Sequence, residues 1–214
     1  MLRPQRGFDL DPKWLQWTKT LQSIAQNGLT FAQDPYDRER YTQLQRVAVE
    51  IMSAYSGADF AQVLDLFQRE HGYATPKVDV RAAVFRNDEI LMVLEREDGR
   101  WSLPGGWADV GETPAEVAER EVLEESGFIT RAVGLLAIYD RDRQGHPPLP
   151  FHVYKIFLQC DLLDKNSKPN ADRGDAAFFP EGKLPELSLT RVTQAEIARL
   201  FEHLHDPSLP ADFD

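Results

Sequence analysis

Apolar residues in the first third of the chain recur at helical spacing. Trp14, Trp17, Leu21 and Ile24 make one stripe, ending at Gly28, and Tyr41, Leu44, Val47, Ala48 and Ile51 make a second, ending at Gly57. Phe60, Val63, Leu64 and Phe67 make a third between Asp59, a good N-cap, and Gly72. The spacing predicts three helices. After Tyr73-Ala74-Thr75-Pro76 the period drops to two: Val78, Val80, Ala82 and Val84 share one face, Arg86 to Glu89 supplies a turn, and Ile90 to Leu94 is an apolar run. Together these predict a hairpin. Val133 to Tyr139 and Phe151 to Cys160 predict two further strands joined by a polar, proline-rich loop, 140–150. Residues 161–173 are rich in turn formers, Ala176 to Phe179 predicts a short strand, and Thr193 to His203 a helix with Glu196 completing its capping box. The change of period near Gly72 divides the chain into an all-α domain, residues 1–72, and a domain of strands faced by helices, residues 73–214.

One more helix lies between the hairpin and the later strands, and its ends are written in the residues. Thr113 is a good N-cap, Pro114 suits the first helical position, Glu116 completes a capping box, and Gly127 supplies the left-handed stop. Ala115, Ala118 and Val122 form the apolar stripe expected to face the sheet. Glu121, Glu124 and Glu125 fall at i, i+3 and i+4 on another face. Like charges at that spacing repel by a few tenths of a kcal/mol per pair, roughly. Glu124 and Glu125 also sit at the helix C-terminus, where the dipole disfavours anions by about 0.3–1 kcal/mol. A hard divalent cation, Mg²⁺ or Mn²⁺, would offset both effects, since such ions take oxygen ligands and leave room for phosphates. Ahead of the helix, Pro104-Gly105-Gly106 predicts a loop whose bare backbone can approach a ligand closely.

The run from Gly106 to Phe128 resembles the Nudix box, G-x5-E-x7-R-E-U-x-E-E-x-G-U, with U a bulky apolar residue. Gly106, Glu112, Arg120, Glu121, Val122, Glu124, Glu125 and Gly127 stand in register, and Phe128 places an aromatic where an aliphatic is more usual. A chance match of the fixed letters at a given start is roughly one in 10⁸. The resemblance implies a Nudix-type α/β/α sandwich with a mixed sheet, preceded by the small all-α domain. It implies hydrolysis of a nucleoside diphosphate linked to another group, NDP–X giving NMP and P–X. Carried over residue by residue, it makes Glu121, Glu124 and Glu125 metal ligands together with the Gly105 carbonyl. Glu121 or Glu124 would also orient or deprotonate the attacking water, and Arg120 and Glu112 would hold the ligating carboxylates in place. The helical extension and the Arg100 to Asp109 entry resemble a subgroup associated with ADP-ribose and CDP-choline type substrates, of which ADP-ribose-like compounds are preferred and CDP-alcohols come second. A Nudix-fold module that senses a nucleotide without turnover is the alternative of another class, and the intact carboxylates oppose it.

Outside the box the candidates are weaker. Arg81 and Arg96, on or just after the hairpin strands, could reach substrate phosphates or lie on a solvated strand edge. Asp140, Asp142, Asp172 and Asp175 could supply a further acid, though turns attract such residues anyway. His146 and His152 could exchange protons, and Phe178 and Phe179 could stack a base; each is as readily structural.

Composition narrows the partners. The formal net charge of −11 argues against a broad nucleic-acid footprint and leaves a small nucleotide as the substrate. A single cysteine, Cys160, excludes an internal disulfide, and with no signal-peptide pattern and no long apolar run the reading is cytoplasmic, without a membrane. The helical domain is small enough to need a partner, so a homodimer through residues 1–72 is expected, with Trp14 and Trp17 at its face.

Overall fold

The computed structural model describes residues 11–164, 169 and 174–214, and the chain forms two compact units. The first comprises residues 9–76 with 148–152 and is built from α1 (Lys13–Phe31), α2 (Pro35–Ser56) and α3 (Phe60–Gln68). Helix α2 starts where the Asp34 side chain accepts the Tyr36 and Asp37 amides, and stops at Gly57 with φ 74°. Asp59 caps α3 in the same way, through Ala61 and Gln62. Leu15, Ala48, Val49, Met52, Val63 and Phe67 form the core of this unit.

Two details depart from the sequence expectation. Helix α1 does not stop at Gly28 but runs on to Phe31, because Gly28 serves a contact: a Cβ there would lie 2.3 Å from the Tyr41 ring of α2. The buried stripe of α1 is also rotated from the one expected. Leu15, Thr18, Gln22 and Ala25 turn inward, Trp14 stacks at the margin on Tyr55, and Trp17 (57% exposed) and Ile24 (46%) face out. The inward polar groups are satisfied, with Gln22 Nε2 donating to the Phe67 carbonyl and Gln45 Nε2 to Gln22.

The second unit, residues 77–147 with 153–214, is organised on one sheet. Its strands are β1 (Lys77–Arg86), β2 (Glu89–Leu94), β3 (Trp101–Ser102), β4 (Gly105–Trp107), β5 (Thr130–Asp140), β6 (Val153–Leu162), β7 (Ala176–Pro180) and β8 (Asp212–Phe213); its helices are α4 (Pro114–Ser126) and α5 (Gln194–His205). The order is β3-β2-β1-β6-β5-β8, with β4 also paired to β1 and β7 to β2. β1 is parallel to β6 and β5 to β8, and the other pairs are antiparallel, so the sheet is mixed. The hairpin turns through Asn87 and Asp88, both at positive φ, as a tight primed turn requires.

Alternation along β1 decides which side each helix takes. Val80, Ala82 and Val84 pack with Val117, Ala118 and Val122 of α4, while Ala83 packs with Ile90, Phe157, Ile197, Leu200 and Phe201 on the α5 side. The result is the α/β/α sandwich expected from the resemblance. Cys160 is buried in the α4-side core, and burial pushes its thiol up to about 12, so it is an inert packing group. Among the described residues no helix is long and apolar enough to cross a membrane.

Candidate active site

Helix α4 carries both of its expected caps. The Thr113 hydroxyl accepts the Glu116 amide, the Glu116 carboxylate accepts the Thr113 amide at 2.8 Å, and Gly127 ends the helix at φ 78°. Its buried residues are Val117, Ala118, Val122 and Ser126; Ala115, expected in the stripe, is only half-buried because it sits in the first turn, where Val117 points to the sheet instead. Fixing that face leaves Arg120, Glu121, Glu124 and Glu125 on the other.

Arg120 ties the carboxylates together. Its Nε and one terminal nitrogen donate to both Glu112 oxygens at 2.8 and 2.9 Å, and the other donates to Glu121 Oε1 at 2.8 Å and Glu124 Oε2 at 3.2 Å. Bonds to Arg120 hold the Glu112 carboxyl below its ordinary range. One cation therefore serves three anions. Glu125 stands apart from this cluster, accepting the Gly105 amide at 3.0 Å. Burial pushes the Glu125 carboxyl up to about 7, against the Gly105 bond and the Arg81 charge that pull it down.

The residues ahead of the helix are not the open loop expected from Pro104-Gly105-Gly106. Gly105–Trp107 is β4, with Gly105 opposite Arg81, Gly106 opposite Val80 and Trp107 opposite Asp79 of β1. The run is too short to show a strand period, and its glycines read as a turn. Pairing explains the glycines better. Gly105 has φ 146°, and a Cβ there would lie 2.1 Å from the Val80 carbonyl; a Cβ at Gly106 would lie 2.8 Å from Glu121 Oε1.

A hard divalent cation fits this donor set. Glu121 and Glu125 face the glycine strand, Glu112 and Glu124 join Glu121 at Arg120, and these four carboxylates, the chemistry such ions select, outnumber the arginines beside them, Arg120 and Arg81. A buried carboxylate with a raised proton affinity beside further anions is a group that a cation would restore to its charged form.

Of the two arginines expected at the phosphates, Arg96 lies exposed in the turn after β2. Arg81 is not on a solvated strand edge. It is buried, donating from Nε to Asp79 at 2.9 Å and from a terminal nitrogen to the Leu103 carbonyl at 3.1 Å. Asp79 also accepts Lys155 Nζ at 2.6 Å, and Lys155 donates on to the Arg191 carbonyl. Burial alone would raise the Asp79 carboxyl, and Arg81 and Lys155 overcome it, holding the group at about 2. A depressed carboxyl contributes stability that is present above its ordinary value and lost as the pH falls through the depressed one. Between pH 4 and pH 2 the wild type should therefore lose about 2 kcal/mol on this account, and Asp79→Asn should lack that slope. Denaturant titrations at stepped acid pH test this, and equal slopes in the two proteins would refute it.

Most remaining candidates have structural duties. His146, buried, bonds the Leu189 carbonyl at 2.8 Å and Glu196 at 2.9 Å. Asp140 accepts the Asp142 amide and Arg143 around a 3-10 turn. Asp172 lies outside the described residues. Phe178 packs edge-on against Phe128 with Arg86 over its ring, and Phe179 packs on Trp101. Glu95, outside the sequence candidates, also joins this network, its Oε1 accepting Ser102 at 2.7 Å and Arg191 at 2.8 Å. Lys155 is likewise outside those candidates, although a lone charge on the inward side of β6, between Val153 and Phe157, is a visible signal of a buried pair.

A family model described as the NUDIX domain matches residues 75–201, and one described as a UDP-X-like N-terminal oligomerisation domain matches residues 12–67. A Bacillus subtilis (strain 168) protein, provisionally named an ADP-ribose pyrophosphatase, is 46% identical over 94% of this chain and 97% of its own length. The crystal structure of a UDP-X diphosphatase superposes with a TM-score of 0.60 at 30% identity, covering 94% of this chain and 98% of that one. An ADP-ribose pyrophosphatase from Streptococcus suis superposes with a TM-score of 0.56 at 37% identity, over 65% of this chain and 100% of its own.

Proposed function

The chain belongs to the Nudix family, and from that premise we propose that it hydrolyses an ADP-ribose-like nucleoside diphosphate, NDP–X and water giving NMP and P–X. The family fixes the coarser statement, a pyrophosphohydrolase of a class that generally uses divalent metals. The observation that carries the site assignment is the single Arg120 guanidinium gripping Glu112, Glu121 and Glu124 beside the Gly105 strand. Glu121, Glu124, Glu125 and the Gly105 carbonyl would hold Mg²⁺ or Mn²⁺. When bound, the cation supplies charge neutralisation at the diphosphate and an acidified water. Arg120 and Glu112 fix the carboxylate rotamers, and Glu121 or Glu124 orients the water and accepts its proton.

ADP-ribose is preferred because relatives bear that name, while the UDP-X diphosphatase likeness makes a UDP-linked substrate the competitor. A screen of ADP-ribose, UDP-glucose and CDP-choline with Mg²⁺ or Mn²⁺ decides, reading phosphate released after phosphatase treatment. The highest kcat/KM is expected with ADP-ribose. A preference for UDP-glucose reassigns the substrate, and no hydrolysis of any compound removes the proposed reaction.

The boundary at residues 72 and 73 and a homodimer through the helical unit belong to the same proposal. Trp17, Ile24 and Phe31 are exposed at intervals of seven on α1, a seam about 21 Å long, and the matching family model is described as an oligomerisation domain. Wild type should scatter light as a dimer, and Trp17→Ala should dissociate at higher concentration. A mass that stays at one chain, 24.4 kDa, throughout a concentration series would exclude the dimer.

A further inference from the structure

Arg81 is a buried arginine, on the strand that pairs with β4, and the reaction outlined above gives it no task. Its guanidinium grips Asp79 through two nitrogens, at 2.9 and 3.4 Å, and the third reaches the Leu103 carbonyl at 3.1 Å and the Ser102 hydroxyl at 3.4 Å. Those acceptors belong to the segment that becomes β4 two residues later. The same segment is tied to the backbone of β1, since Pro104 accepts the Ala82 amide at 2.9 Å and Gly105 faces Arg81 in register. Ser102 passes the hold outward to Glu95. At the far end, Lys155 pins the second Asp79 oxygen, so the guanidinium is clamped on a fixed base.

Why an arginine stands here follows from its geometry. A planar fork can grip a carboxylate and still present nitrogens to a neighbouring carbonyl, while a lysine ammonium is a single point of charge. β4 is short, glycine-rich and without side chains to pack at Gly105 and Gly106, so its place rests on pairing with β1, on the buried Leu103 and on these polar ties. Its position nevertheless decides the site, because the Gly105 amide meets Glu125 and the bare Cα of Gly106 leaves room for Glu121.

We infer that Arg81 is a positioning residue of the active site, its guanidinium fixing the Leu103 to Gly105 segment in the register that presents Gly105 to Glu125 and Gly106 to Glu121. The inference rests on reading Gly105 and the box glutamates as the cation site. Arg81 acts through the strand and does not touch substrate.

Arg81→Lys keeps the charge and removes the fork. Three readouts on this variant separate positioning from simple support of the fold: Mn²⁺ affinity by calorimetry with the metal alone, amide hydrogen exchange, and the split between KM and kcat. Positioning requires Mn²⁺ binding weaker by about tenfold or more, faster exchange at Gly105 with Val84 still protected, and a loss falling mainly in kcat. A variant that melts lower yet keeps wild-type Mn²⁺ affinity and Gly105 protection overturns the inference. If Arg81→Lys does not fold, Ser102→Ala is read in the same way, since it removes the hydroxyl beside the guanidinium; unchanged Gly105 exchange and Mn²⁺ binding there also overturn it. Wild type that binds no Mn²⁺ instead overturns the cation-site reading itself, so the two failures are told apart.

Discussion

Glu125→Gln should fold as wild type does, melt no lower in metal-free buffer, and lose about 10²-fold or more in kcat. The three outcomes follow from one geometry. Glutamine keeps the shape and still offers an oxygen to the Gly105 amide, so the bond that closes the glycine strand survives. The charge it removes is a costly one, largely buried and close to the like charges of Glu121 and Glu95. What is lost is an anionic oxygen facing the proposed cation. Glu124→Gln should lose activity comparably, although Glu124 is half exposed and held by Arg120, because its proposed role is ligation and not packing. Glu119→Gln is the control on the same helix. Glu119 accepts the Ala132 amide and takes no bond from Arg120, so glutamine can keep its contact, and activity there should stay near wild type. Near-normal turnover in a folded Glu125→Gln protein would end the ligand assignment.

The contrast between Glu119 and Glu125 shows what was legible in the sequence and why. Helical periodicity with a capping box at one end and a glycine at the other set the phase of α4, and phase alone put Glu121, Glu124 and Glu125 off its buried face. The strands of β1, β2, β5 and β6 were legible for a similar reason, since each is long enough to show an alternation or an apolar run. β3, β4 and β8 are two or three residues long and carry no period at all. They exist because a neighbouring strand offers open hydrogen-bonding groups, which is a property of the fold and not of the segment.

The same distinction explains the two arginines. Arg81 and Arg96 look alike in the sequence, as cations on or near a hairpin. What separates them is Asp79, two residues away along β1, and Lys155, brought to Asp79 by the parallel pairing of β1 with β6, a contact between residues 76 positions apart. The helical unit differs from expectation for another reason. Its three apolar stripes were visible, but the seven-residue spacing of Trp17, Ile24 and Phe31 competes with the inward stripe through Leu15 and Ala25, and periodicity cannot say which of two apolar faces turns inward.

Adjacent glycines give the second large effect, because the same substitution should fail in different ways at each. At Gly105 a methyl group would meet the Val80 carbonyl at 2.1 Å, backbone against backbone, at a φ of 146° that an L-residue rarely adopts. Neither side can yield without breaking the β1–β4 pairing, so Gly105→Ala should cost stability by about 2–4 kcal/mol as well as activity. At Gly106 the methyl group would meet the Glu121 carboxyl, the end of a flexible side chain, with Oε1 at 2.8 Å and Cδ at 3.3 Å. Glu121 can swing aside at little expense to the fold, but only by leaving Arg120, which holds it at 2.8 Å. Gly106→Ala should therefore melt within a few degrees of wild type while kcat drops by about 10–10²-fold, the signature of a displaced ligand. Thermal melts and steady-state kinetics on the pair read both numbers. A Gly106→Ala protein with wild-type kcat would mean that Glu121 works from a position it does not occupy here, and its assignment as metal ligand and partner of the attacking water would have to be withdrawn.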